Sequence, residues 1–112
     1  MRGKTRKSLR DMQGACELVI QFTAGKTFRD FTTDKMLKSA VERQLGIVGE
    51  ALNNALMLNP ELSERIADAR RIIGFRNILI HGYWNLSDDL VWGVIETDLS
   101  TLRQEVDRLL NE

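Results

Sequence analysis

With a single cysteine and a single histidine in 112 residues, one chain has too few ligands to build a zinc site, and no internal disulfide can form. The expectation is metal-independent chemistry with no cofactor, in a reducing cytoplasm. Long apolar runs are missing too. No stretch approaches the roughly 20 residues that span a bilayer, and no apolar region precedes a cleavage site near the start. A soluble chain that is neither exported nor held in a membrane is expected. Net charge is also lacking: 16 Lys and Arg balance 16 Asp and Glu, which argues against wholesale coating of nucleic acid. Strand-like alternation of apolar and polar residues appears nowhere.

What is present is one domain of ordinary globular composition, 43% hydrophobic, too short for a two-domain enzyme. A chain of this length buries about 65% of the surface its unfolded form exposes, enough for one core, so a deep cleft is expected between subunits. The charge is unevenly spread. Arg2, Lys4, Arg6, Lys7 and Arg10 have no acid among them, whereas residues 87–112 set seven acids against Arg103 and Arg108. Arg65, Arg70, Arg71 and Arg76 face only Asp68 after Glu64, a cluster that by itself is weak support for a phosphate ligand.

Apolar residues recur every three or four positions from Lys7 (Leu9, Met12, Cys16, Val19, Ile20, Phe22), which predicts a first helix ending near Gly25. Residues 25–33 show no helical period, and Thr32 or Thr33 is the expected cap of a second helix running to about Leu58. Its buried face includes Leu37, Val41, Leu45, Val48, Leu52 and Ala55, while Gly46 and Gly49 allow a neighbouring helix to come close. Asn59-Pro60 ends it and starts a short helix to about Ala67. A fourth helix is expected over residues 68–80, stopped by His81-Gly82. A fifth is capped by Ser87 and continues close to the C-terminus through Val91, Ile95, Leu99, Leu102, Val106 and Leu109. Short connections make these antiparallel neighbours: an all-α, up-and-down bundle of about five helices. Met12, Met36 and Met57 are expected to fill the core.

Chemically able side chains are dense only in Arg76-Asn77-Ile78-Leu79-Ile80-His81-Gly82-Tyr83. On a helix Asn77 and His81 stand one above the other, with Arg76 about 140° round from His81. Histidine titrates near neutrality and the arginine fork matches phosphate oxygens, a pairing suited to phosphodiester cleavage without metal. His81 can activate a ribose 2′-hydroxyl or protonate the leaving oxygen while Arg76 and the Asn77 amide neutralise the phosphoryl group. The same residues also admit plain structural roles: His81 as a helix-end residue, Arg76 as an ion-pair partner and Asn77 as a backbone ligand. Phe75, Trp84 and Trp92 have faces on which a base can stack, but Phe75 and Trp92 read as core and Trp84 as surface.

Val48-Gly49-Glu50-Ala51, then Phe75 through Trp84, then Val91-Trp92 resembles the HepT-like toxins of the HEPN superfamily over about residues 9–110, with Arg-Asn-x3-His-x-Tyr as the signature string. The resemblance implies a single HEPN domain over 1–112, with residues 1–8 a basic extension outside the likeness. It further implies a homodimer with its cleft at the interface, and a toxin that acts on RNA rather than DNA. Arg76 and His81 match the catalytic pair and Asn77 the motif's polar residue. Tyr83 matches the tyrosine that receives AMP when a minimal nucleotidyltransferase antitoxin silences the toxin. Glu50 either lines the cleft or pairs with an arginine. The rival reading is a non-catalytic, nucleotide- or substrate-binding partner subunit of a nucleotidyltransferase; a third is a purely structural helical dimer.

Overall fold

The computed structural model describes residues 1, 3–82 and 86–112, and among them it shows six α-helices and no strand. The first, α1 (Gly3–Thr23), begins ahead of Lys7, because Thr5 continues the inward stripe of Leu9, Met12, Cys16 and Val19. The basic residues Lys4, Lys7 and Arg10 are therefore the exposed side of a packed helix. Arg6 reaches the far end of the chain, its Nη2 donating to the Leu110 carbonyl at 2.9 Å. A cation there also favours the negative end of that last helix. Gly25, at φ 72°, turns the chain where a side chain would be strained.

Residues 28–33 are not the irregular segment expected. They form α2 (Phe28–Thr33), closed by a capping box in which the Thr27 hydroxyl accepts from Asp30 N at 3.1 Å and the Asp30 carboxylate accepts from Thr27 N at 2.9 Å. That backbone hydrogen bond also holds the Asp30 carboxyl below its ordinary pKa. Six residues are too few to display a period, so the cap is the only sequence sign of this helix. Nor do Thr32 and Thr33 cap the next one: their hydroxyls donate back to the Arg29 carbonyl at 2.9 Å, and Asp34 caps α3 (Lys35–Leu58) by accepting from Leu37 N at 3.1 Å.

After Asn59, a single 3-10 turn over Pro60–Glu64 replaces the longer helix expected to Ala67. It buries Leu62, and Ile66 follows it into the core. Then come α4 (Ala69–His81), α5 (Asp88–Thr97), whose N-cap Ser87 accepts from Leu90 N at 3.1 Å, and α6 (Leu99–Leu110). The last two replace the single continuous helix expected. They part at Asp98, which is 3% exposed and turns its carboxylate inward to accept from Arg71 Nε at 3.2 Å, from Arg71 Nη2 and from Thr97 Oγ1 at 3.1 Å. A carboxylate this deep needs such partners, and meeting them takes it out of the regular spiral.

The helices form a bundle. Lys4 and Lys7 of α1 share a hollow with Met57 and Leu58 of α3, so these two long helices run antiparallel. Against α1, α6 also runs antiparallel, pinned by Arg6 to Leu110, Gln13 to Asp107 at 2.6 Å and Glu17 to Arg103 at 3.6 Å. Trp92 of α5 meets Phe31 and Phe28 of α2 with ring centroids 5.5 and 6.3 Å apart, which joins those elements and leaves Trp92 half-buried. Phe75 and Met12 lie in the core as expected, but Met36 and Met57 do not, at 83% and 74% exposed. Met57 instead borders the open hollow shared with α1.

The packing of α4 on α3 depends on one missing methyl. A Cβ built on Gly49 would lie 2.3 Å from Arg76 Cβ and 2.7 Å from its Cγ. Gly46, the other candidate for close approach, meets nothing within 4 Å. Gly49→Ala is therefore expected to lower stability by about 1–3 kcal/mol as α4 is forced outward. Gly14→Ala, on the exposed side of α1 with open space around the added Cβ, is expected to raise it by up to about 1 kcal/mol. Urea denaturation of both variants checks the pair, and equal stabilities would show that α4 does not rest on Gly49.

Cys16 is fully buried, and burial pushes its thiol up to about 12. The folded state thus keeps a proton that the unfolded chain sheds at the ordinary thiol value. The stability linked to Cys16 is intact below the unfolded pKa and is lost as pH rises toward the folded one. Between roughly pH 9 and 12 the wild type is expected to lose about 1.4 kcal/mol per pH unit more than Cys16→Ala, measured by denaturation across that range.

Candidate active site on α4

Helix α4 is unbroken from Ala69 to His81, which puts Asn77 and His81 on one face, one turn apart. It ends where the Gly82 N–H donates to the Ile78 carbonyl at 3.0 Å. Both Asn77 and His81 are exposed, and His81 is in the last turn of the helix. Tyr83 and Trp84 lie outside the described residues.

Arg76 is half-buried, because the near end of its side chain lies against Gly49 on α3. From that anchorage its Nη1 donates to Asn77 Oδ1 at 3.0 Å, while Nε is buried with no partner among the described residues. No acid among the described residues pairs with it. Its neighbours in the arginine cluster behave differently: Arg65 pairs with Glu112, and Arg71 with Asp98 and with Asp68 at 3.1 Å. Arg65 and Arg71 thus already have carboxylate partners within the fold. Arg76 is held by shape and by a neutral amide, so its positive charge remains unneutralised, the condition an oxyanion or phosphate requires.

The structure therefore brings Arg76 and Asn77 together and leaves His81 farther along the helix, about 7.5 Å away from Arg76 along the axis and about 140° round it. Glu50 does not pair with an arginine among the described residues. It is exposed on α3 next to Gly49, beside a hollow shared with Asp11, Ile47, Ala51 and Asn54. A larger groove of about 450 Å³ runs between α4 and α5, lined by Gly74, Phe75, Ile78, Leu90, Gly93 and Val94 among others, and it contains none of Arg76, Asn77 and His81. Gly49 is the residue whose part in the site is clearest only in the structure. Its place in the Val48-Gly49-Glu50-Ala51 string is the sequence signal for it.

The chain matches the family described as Ribonuclease HepT-like over residues 12–109. A Methanocaldococcus jannaschii protein provisionally named an RNase is 32% identical over 101 residues, which are 88% of this chain and 90% of that protein. A second protein of that organism, named a gamma-glutamylcyclotransferase and, provisionally, an RNase, is 32% identical over 112 residues, all of this chain and 50% of that protein. A Thermococcus cleftensis protein named a probable ribonuclease HepT is 32% identical over 105 residues, 90% of this chain and 91% of that one. No solved structure matches. With its helical bundle and its Arg76-x4-His81 string on one helix, this chain belongs to the Ribonuclease HepT-like family.

Proposed function

We propose that this chain is a metal-independent endoribonuclease, the toxin of a cytoplasmic toxin-antitoxin pair, acting as a homodimer and silenced by AMP transfer to Tyr83 from a minimal nucleotidyltransferase. The observation that carries the nuclease reading is the state of Arg76: a fixed cation with no carboxylate partner among the described residues, about 7.5 Å along the helix from the only histidine, in a chain of a ribonuclease family.

In this reading His81 takes the proton from a ribose 2′-hydroxyl or gives one to the departing 5′-oxygen. The 2′-oxygen attacks phosphorus, the bond from phosphorus to the 5′-oxygen breaks, and a 2′,3′-cyclic phosphate remains. Arg76 and the Asn77 amide hold the phosphoryl oxygens as charge builds on them. Within one protomer Arg76 and His81 diverge around the helix. A second copy forming the opposite wall gives a cleft in which both residue types face one phosphate.

His81→Ala and Arg76→Ala are each expected to cut RNA cleavage by at least about a hundredfold while leaving far-UV circular dichroism unchanged, since His81 is exposed and Arg76→Ala keeps the Cβ that lies against Gly49. Cleavage by the wild type is expected to persist in EDTA and to leave cyclic phosphate ends. Full toxicity of His81→Ala in growing cells would overturn the nuclease reading in favour of a binding subunit.

Tyr83, the one tyrosine in the sequence, follows Gly82 just beyond the end of α4, where a phenol can enter a second enzyme's active site without unfolding the helix. In this reading one AMP adds about one negative charge and a bulky nucleotide two residues along the chain from His81, and competes with RNA phosphate for the site. Incubation with the nucleotidyltransferase and ATP is expected to add AMP to Tyr83, located by fragmentation mass spectrometry. A Tyr83→Phe chain that is still modified and neutralised would refute the assignment.

A further inference from the structure

Helix α5 packs its Trp92 on Phe31 and Phe28 of α2, and between α5 and α4 a groove of about 450 Å³ stays open. Gly74 and Gly93 both line it, and a Cβ added at either would meet nothing within 4 Å. Ile78, Leu90 and Val94 make its walls mostly apolar. Arg71, near the start of α4, pairs with Asp98, just past the end of α5, so the two helices run antiparallel and Asp89 and Leu90 lie at the His81 end. His81 is three residues beyond Ile78 and seven beyond Gly74, which on a helix sets it about 4.5 Å past Ile78 and within about 20° of the direction of Gly74. The groove is therefore on the histidine's side of α4, whereas Arg76 lies on the side turned to α3.

The polar groups of the groove are not equally free. Arg71 and Asp98 pair with each other, and Thr97 Oγ1 donates to the Gly93 carbonyl at 2.6 Å. Asp89 is exposed and forms no ion pair among the described residues. A free carboxylate over an apolar slot repels phosphate and accepts from N–H donors. From Arg71 to Ile78 the slot follows only about 10.5 Å of helix, two turns, which suits a flat ring better than a helix of another protein.

We propose that this groove takes a nucleobase of the RNA next to the cleaved bond, and that Asp89 selects guanine. Among the four bases only guanine has two N–H donors, N1–H and N2–H, side by side, and both donate to one carboxylate. Adenine and cytosine set an acceptor nitrogen beside their amino group, and uracil flanks its N–H with two carbonyls, so each turns a lone pair toward Asp89. The ring is covered by the apolar walls. The proposal deepens the ribonuclease reading and rests on it for the position of the cleaved bond.

The test combines two measurements on the full chain: NMR titration with the four nucleoside 5′-monophosphates, which contain no phosphodiester to cut, and sequencing of the ends left after RNA cleavage. GMP is expected to shift the amide signals of Gly74 and Gly93 and to bind about tenfold more tightly than AMP, CMP or UMP. Cleavage is expected to fall beside guanine. Asp89→Asn is expected to erase both preferences, and Gly93→Leu, which fills the groove with a good helix former, to abolish nucleotide binding there. Equal affinity for all four nucleotides overturns Asp89 as the selecting residue. Groove amides that no nucleotide moves overturn the groove as a base site, even where RNA is cut. Guanine selection by a chain that cuts no RNA upholds the groove and overturns the nuclease reading instead. A Gly93→Leu chain that keeps its GMP preference but changes oligomeric state overturns the proposal and gives the groove to a protein contact.

Discussion

A contact between a glycine and the stem of an arginine governs much of this molecule. Because Gly49 has no side chain, α4 settles onto α3 with Arg76 Cβ and Cγ in the space a methyl would fill. That approach fixes the height and rotation of α4, and hence which residues it turns inward (Ile72, Phe75) and which outward (Asn77, His81). The guanidinium is positioned from its backbone end by packing, with only a neighbouring amide to steady the tip. An arginine oriented this way keeps its charge available, whereas one oriented by a carboxylate has already spent most of it.

Several of the other charges are put to structural use. Arg71 with Asp98, Arg65 with Glu112, Lys38 with Asp88 and Arg103 with Glu17 link segments far apart in sequence. The zero net charge thus conceals a division of labour. Many cations and anions are partners within the fold, and a phosphate chain meets local features instead of a uniformly basic surface. Specific docking at a few fixed groups, rather than long-range attraction, is the mode of RNA engagement such a surface allows.

How much of this was legible in the sequence differs by level. The apolar stripes of α1, α3, α4 and α6 were plain, because a three-to-four residue period over three or more turns has few other causes. Helix α2 is not legible because six residues show no period, and the Asp98 break is hidden by apolar spacing that continues through it. Met36 and Met57 were misplaced for a different reason. Periodicity and hydrophobicity show that a face is suited to contact but do not show whether the protein's own helices supply the contact. The Arg76 to Tyr83 string could be recognised directly, yet the anchorage of Arg76 could not. Both Gly46 and Gly49 looked able to admit a neighbour, and only tertiary packing separates the one that is filled from the one that stays open.

The junction of α1 with α6 has a consequence for how the chain is made. Arg6 bonds to Leu110, Gln13 to Asp107, and Glu17 lies near Arg103, so the earliest helix is covered by the latest. During translation α1 leaves the ribosome with its apolar stripe of Leu9, Met12, Cys16 and Val19, and α3 can cover only part of it. The rest stays wet until residues 99–110 have emerged. Contacts of such long sequence separation close late, so a nascent or truncated chain leaves the part of α1 that faces α6 uncovered.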